Sequence, residues 1–122
     1  MIKRVVFDID GTLQSRQNEL RPGCIDVMNK LRDAGIIVSV WSGNGIEYCR
    51  DWIDRVDPDN AIGIVAYSKI PSGLNRDVAV VDDDVGVVDI SECYRAVAIL
   101  VPTYLGGSDD GLAAVLDKLL PR

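Results

Sequence analysis

Short apolar blocks alternate with amphipathic stretches along this chain, and that alternation limits the fold more than any other feature. The blocks cover residues 3–7, 36–41, 61–66, 78–81 and 96–101. They are rich in β-branched residues and nearly continuous in hydrophobicity, without a period of two. Strands of this kind are buried on both faces, as in a parallel sheet covered by helices. Between them, residues 22–34 place Ile25, Met28 and Leu31 on one helical face, with Pro22 suited to a first turn and Gly35 to a stop. Residues 44–56 do the same with Ile46, Cys49, Trp52 and Ile53, and residues 109–120 with Leu112, Val115, Leu116, Leu119 and Leu120. A shorter helical piece is expected over 87–93. The link at 67–77 is short, holds Pro71 and Gly73, and is expected to carry no full helix. The pattern predicts an α/β fold: a three-layer Rossmann-like sandwich on a mainly parallel sheet of about five strands.

Composition bounds the rest. A chain of 122 residues reads as a single domain over 1–122, long enough to bury about two-thirds of its unfolded surface without disulfide staples. The three cysteines, Cys24, Cys49 and Cys93, form no CxxC pair and are read as reduced structural thiols in a cytoplasmic protein. There is no histidine, which removes Ser-His-Asp and Cys-His mechanisms and argues against a zinc site. The opening MIKRVVFD passes straight into strand-like sequence and is not expected to be a signal peptide. The apolar runs are too short to cross a bilayer, so no membrane association is expected. A net charge of −6 disfavours tight general binding to nucleic acid, which depends on neutralising phosphates, although a local basic patch remains compatible with it.

In open α/β sheets, ligands gather at the carboxyl ends of the strands. Here those ends carry Asp8 and Asp10 after the first block, and Ser42, Gly43 and Asn44 after the second. Ser68 and Lys69 follow the third, and Asp82, Asp83 and Asp84 the fourth. Carboxylates gathered on one rim repel one another unless a cation compensates them. Mg²⁺ prefers oxygen ligands and commonly bridges carboxylates to a substrate phosphate. With Lys69 on the same rim, the constellation suits a dianionic phosphoryl group. An Asp can attack such a group, a second Asp two residues on can reach the leaving oxygen, and the Ser42 hydroxyl can donate to a phosphoryl oxygen.

In order along the chain stand DIDGT at 8–12, WSG at 41–43, SK at 68–69 and VVDDD at 80–84. This set resembles the four signatures of the haloacid dehalogenase superfamily, mostly magnesium-dependent phosphatases. The resemblance implies that Asp8 is the nucleophile and a metal ligand. It makes Asp10 the general acid/base, with its carbonyl on the metal. Ser42 and Lys69 would hold the phosphoryl group, with Gly43 and Asn44 beside the substrate. Of the acidic run, Asp83 is favoured as the direct metal ligand with Asp82 in support. Asp at position 10 separates the chain from the family's dehalogenases, which lack that carboxylate, and from its P-type ATPases, which carry Thr there. The expected reaction is hydrolysis of a phosphomonoester. The alternatives are an idle phosphate-binding or regulatory module and phosphotransfer to an acceptor other than water.

Neither 13–21 nor 70–77 has room for the cap domain that many relatives insert, so an open site is expected. Capless relatives tend to act on macromolecules or to close the site with a neighbouring subunit. The expected partners are therefore a phosphorylated substrate, macromolecular or small, and a homo-oligomeric neighbour. Residues 14–19 would form at most a short, flexible flap.

Each motif also has a plainer reading. Asp10–Gly11 is an ordinary turn signal. Ser42 is a candidate helix N-cap, and Asp82–Asp84 a candidate solvated loop. An EF-hand calcium loop fails on spacing at Asp8–Gly11. Trp41, Tyr48 and Trp52 read as packing residues, and Tyr94 and Tyr104 carry no signal.

Overall fold

β1 (Arg4–Asp8) is the central strand of the sheet, and the computed structural model, which describes residues 1–120, builds outward from it in both directions. Residues 121 and 122, the end of the expected domain, lie outside the described residues. The remaining strands are β2 (Ile37–Trp41), β3 (Val65–Ala66), β4 (Val78–Asp82) and β5 (Val97–Leu100). The order is β3-β2-β1-β4-β5 and every pairing is parallel. The helices are α1 (Cys24–Asp33), α2 (Ile46–Val56), α3 (Val85–Cys93) and α4 (Ala113–Leu119). The chain winds from β1 to β3 on one side, then crosses back to β4, so the strand order reverses beside β1. Such a reversal opens a crevice at the carboxyl ends of the strands. Phe7 pairs with Val81 and Asp8 with Trp41, which puts Asp8, Ser42 and Asp82 at the same end of three adjacent strands.

The two sheet faces pack unequally. Val5 and Phe7, Val38 and Val40, Ala79 and Val81, and Ile99 point into the larger core, where Met28, Leu31, Trp52, Leu112 and Val115 meet them. Val6, Trp41, Val78, Val80, Leu74 and Ala96 form a smaller cluster on the other face. Burial of each large apolar side chain contributes about 1.5–3 kcal/mol. The near-continuous hydrophobicity of β1 and β4 thus has its cause in cover on both faces.

Several element bounds differ from the sequence reading, each for a local reason. The expected strand over 61–66 shrinks to Val65–Ala66. The Asp57 carboxylate accepts from the backbone N–H of Ile62 and of Gly63, and Gly63 sits at φ 77, so this stretch cannot enter a ladder. Its apolar character is still used, since Ile62 and Ile64 are buried. α2 starts at Ile46 because Ser42–Asn44 form a turn and Gly45 bends the chain at φ 97. α3 begins two residues before the expected 87, capped by Asp84, whose carboxylate accepts from the Gly86 N–H. α4 starts late because Asp109 is engaged with Arg21 and with the Gly111 N–H. As expected from Pro71 and Gly73, the β3–β4 link carries only a single 3-10 turn, Pro71–Gly73.

All three cysteines are free; burial pushes the Cys24 thiol up to about 12 and the Cys49 thiol up to about 11. Among the described residues, no helix is long and apolar enough to cross a membrane.

Candidate active site

The first site residue is placed by β1 itself. Asp8 ends the strand, with 8 % of its surface exposed. Beyond it the chain coils tightly: the Ile9 carbonyl accepts from the N–H groups of Thr12, Leu13 and Gln14. Gly11 makes this coil feasible. It sits at φ 86, and a Cβ there would run into the Asp83 carboxylate. That close approach of backbone to carboxylate explains the glycine beside two acids.

Asp8, Asp82 and Asp83 each offer an oxygen atom, and the three lie within 4.8 Å of one another. The Lys69 ammonium is the counter-charge, donating to Asp8 Oδ1 at 2.9 Å and to Asp82 Oδ2 at 3.2 Å. Asp82 is fully buried, and its other oxygen accepts from the Asp84 N–H at 2.9 Å. Asp83 is held instead by two hydroxyl donors, Thr12 Oγ1 at 3.3 Å and Thr103 Oγ1 at 2.8 Å. Three carboxylates thus face one ammonium, and the titrations reflect the excess. Burial, then the charge of Asp82, raises the Asp8 carboxyl to about 7, against the pull of Lys69. Burial raises Asp82 as well. Burial alone would lower Lys69, but Asp8 and Asp82 outweigh it and raise the ammonium above its ordinary value. An oxygen-only donor set with surplus negative charge fits a hard divalent cation such as Mg²⁺.

The Asp10 carboxylate keeps other company. Oδ1 accepts from Gln14 Nε2 at 2.9 Å, and Oδ2 from the Tyr48 hydroxyl at 2.7 Å and, at 3.5 Å, from Asn44 Nδ2. Gln14 is itself buried and fixed by Trp52, whose indole N–H donates to Oε1 at 2.9 Å. Burial, then the bond to Asp10, raises the Tyr48 hydroxyl to about 12, so it stays a proton donor. Ser42 is buried, and its hydroxyl accepts from the Asn44 N–H at 3.0 Å; the α2 N-cap position belongs to Gly45, not to Ser42. Gly43 and Asn44 lie exposed on the rim.

The 14–19 stretch departs from the flexible flap expected. Gln14 and Ser15 are buried; the Ser15 N–H donates to the Glu19 carbonyl at 2.8 Å, and the Ser15 hydroxyl accepts from the N–H groups of Gln17 and Glu19. At its far end Glu19 accepts from the Tyr104 hydroxyl and the Gly107 N–H. Arg21, fully buried, clamps the base: its guanidinium donates to both Asp109 oxygens, at 2.6 and 3.1 Å, and to the Thr12 carbonyl at 3.2 Å.

The structure therefore brings Asp8, Lys69, Asp82 and Asp83 together and turns the Asp10 side chain elsewhere. The sequence reading missed Thr12, Gln14, Tyr48 and Thr103. Thr12 stood inside DIDGT without a role, and Tyr48 lies on α2 with no sequence signal that aims it at Asp10.

Residues 5–67, slightly more than half of the chain, match the sequence profile described as haloacid dehalogenase-like hydrolase. The chain belongs to that family. Within the haloacid dehalogenase-like hydrolases, it is 32 % identical over 62 residues to a phosphoglycolate phosphatase of Methanoculleus marisnigri. That match covers 51 % of this chain but only 26 % of the relative. Its fold is similar to the crystal structure of D,D-heptose 1,7-bisphosphate phosphatase from Burkholderia thailandensis, with a TM-score of 0.74. That likeness covers 98 % of this chain and 99 % of the other, at 21 % identity.

Proposed function

We propose that this hydrolase is a Mg²⁺-dependent phosphomonoesterase working through an aspartyl-phosphate on Asp8. The observation that carries the reading is the division of company between the two acids of DIDGT. Asp8 lies in the three-carboxylate, one-lysine cluster, whereas Asp10 is held by neutral donors outside it. One is set up to attack an anionic centre and the other to move a proton. The phosphatase relative in Methanoculleus marisnigri supports the same reaction class.

In this reading an Asp8 oxygen forms a bond to phosphorus while the bond from phosphorus to the leaving oxygen breaks. The leaving oxygen keeps that electron pair and takes a proton from Asp10. Water then attacks the phosphorus and gives a proton to Asp10; the bond to Asp8 breaks, restoring its carboxylate and releasing inorganic phosphate. Asp8, Asp83 and, in support, Asp82 would hold Mg²⁺, with the Asp10 carbonyl as a further ligand. Asp83 is favoured as the direct side-chain ligand because hydroxyl donors turn away readily, whereas both Asp82 oxygens are engaged by Lys69 and a backbone N–H. When bound, the cation would neutralise the cluster and supply Lewis-acid stabilisation of the phosphoryl charge. Lys69 and Ser42 hold its oxygens, with Gly43 and Asn44 at the rim beside it.

The test is phosphate release from p-nitrophenyl phosphate and a panel of phosphoesters, with Mg²⁺, with chelator, and with Asp8→Asn. Metal-dependent release abolished in the folded variant is the expected result. Full activity in Asp8→Asn, or in the presence of chelator, would overturn the reading.

A further inference from the structure

Between the 14–19 turn and the start of α2 lies a hollow of about 400 Å³ lined by Asp10, Arg16, Asn18, Asn44 and Tyr48. Every lining residue is polar. Asn44, two residues ahead of α2, and Tyr48, on α2, both already donate to Asp10 Oδ2. Arg16 lines the same hollow, exposed and, among the described residues, without a hydrogen bond or ion pair.

Arg16 is not carried on a loose loop. Ser15, 1 % exposed, anchors the turn through its carbonyl, which accepts from the Asn18 N–H at 3.0 Å, and through its hydroxyl, which accepts from the N–H groups of Gln17 and Glu19. Asn18 takes the left-handed conformation at φ 65 and accepts from Gln14 Nε2 at 3.1 Å. A built turn therefore presents one uncompensated guanidinium to the same hollow that Asp10 lines. Guanidinium groups bind carboxylate and phosphate oxygens through paired N–H donors. A hollow of this size falls within the range of small-molecule sites.

We infer that this hollow is the leaving-group subsite and that Arg16 reads a second anionic group there. The substrate is then a small phosphomonoester bearing a carboxylate or a second phosphate a few atoms from the reacting ester. The inference rests on the proposed reaction, in which Asp10 stands at the leaving oxygen.

The experiment uses three matched probes: propyl phosphate, 3-carboxypropyl phosphate and propane-1,3-diol bisphosphate. With Mg²⁺, wild type is expected to show kcat/KM higher for one or both doubly anionic probes by roughly tenfold to a hundredfold, the range of one charge-assisted hydrogen-bonded pair. Which of the two gains more distinguishes a carboxylate from a phosphate as the group read. Arg16→Ala is expected to bring the three values together, and Arg16→Lys to keep part of the preference. Equal values in wild type, or a preference that survives Arg16→Ala, would overturn the inference. So would a phosphopeptide or a 5′-phosphorylated oligonucleotide turned over more efficiently than all three. Binding of the same probes to Asp8→Asn, followed by calorimetry, separates this inference from the reaction. An Arg16-dependent preference in binding without turnover in wild type sustains the subsite and sinks the phosphatase reading. Turnover of propyl phosphate without any preference does the reverse.

Discussion

Asp8 and Asp10, two residues apart in the chain, share no hydrogen-bond partner among the described residues: Thr12 and Lys69 serve the first, Gln14, Asn44 and Tyr48 the second. In an extended strand, residues i and i+2 face the same way. The coil closed on the Ile9 carbonyl breaks that rule between them.

If Asp10 delivers the proton to the leaving oxygen, its nearest donor should matter most when that oxygen is a poor leaving group. Tyr48→Phe removes the 2.7 Å bond to Asp10. The expected loss in kcat is up to about tenfold on an alkyl phosphate, as for one hydrogen bond of about 0.5–1.5 kcal/mol. The loss on p-nitrophenyl phosphate, whose leaving group needs little protonation, should be smaller. Steady-state kinetics on the two substrates check this; equal losses would remove Tyr48 from proton delivery.

The metal-free protein should become less stable as pH rises from about 4 to 7. Asp8 titrates near 3.8 when unfolded and at about 7 when folded, so over this window the native state binds the extra proton and stability falls with pH. The effect is on the order of a few kcal/mol, since each unit of difference is worth about 1.4 kcal/mol. Urea unfolding at pH 5 and pH 8 measures it. Asp8→Asn should flatten the dependence, and Mg²⁺ should restore more stability at pH 8 than at pH 5.

Arg21 is buried with a carboxylate as its only charged partner among the described residues. Asp109→Asn would leave that guanidinium uncompensated and should cost about 3 kcal/mol, the lower end for a broken buried pair because Asp109 is partly exposed. The Arg21 hydrogen bonds hold the Asp109 carboxyl below the ordinary carboxylate range. Its contribution is therefore complete above that range and is lost progressively as pH falls from it through the lower folded value. The gap between the denaturant midpoints of wild type and Asp109→Asn should be smaller at pH 3 than at pH 7.

Gly11→Ala places a methyl group against the Asp83 carboxylate at a φ that side chains rarely adopt. Roughly 1–3 kcal/mol of strain is expected. Because the displaced group is a proposed metal ligand, Mg²⁺ affinity should fall with it. A Mg²⁺ titration of the folded variant with wild-type affinity would detach Asp83 from the metal.

The sequence made parts of this arrangement readable for physical reasons. β1, β2 and β4 announce themselves because cover on both faces demands unbroken apolar runs. Asp8, Lys69 and Asp82 could be placed on one rim because each ends or closely follows a strand of a parallel sheet. β3 misled because a buried loop is as apolar as a buried strand, and only the reach of Asp57 back to Ile62 and Gly63 separates them. The partners of Asp10 were hidden for another reason. Tyr48 and Trp52 point at the 14–19 turn only once α2 has docked, a register that no local pattern encodes. Thr103 on Asp83 and Arg21 on Asp109 join residues far apart in the chain and leave no spacing to read.

The two margins of the sheet are unlike. At one, β3 offers just two residues of strand, Val65–Ala66, so an incoming extended peptide would find little backbone to zip onto. At the other, β5 runs for four residues and leaves Val97 and Leu100 more than two-fifths exposed. Any misassembly by strand addition is thereby steered to a single side of the molecule, away from the hollow at the start of α2, the helix that packs on β2 and β3.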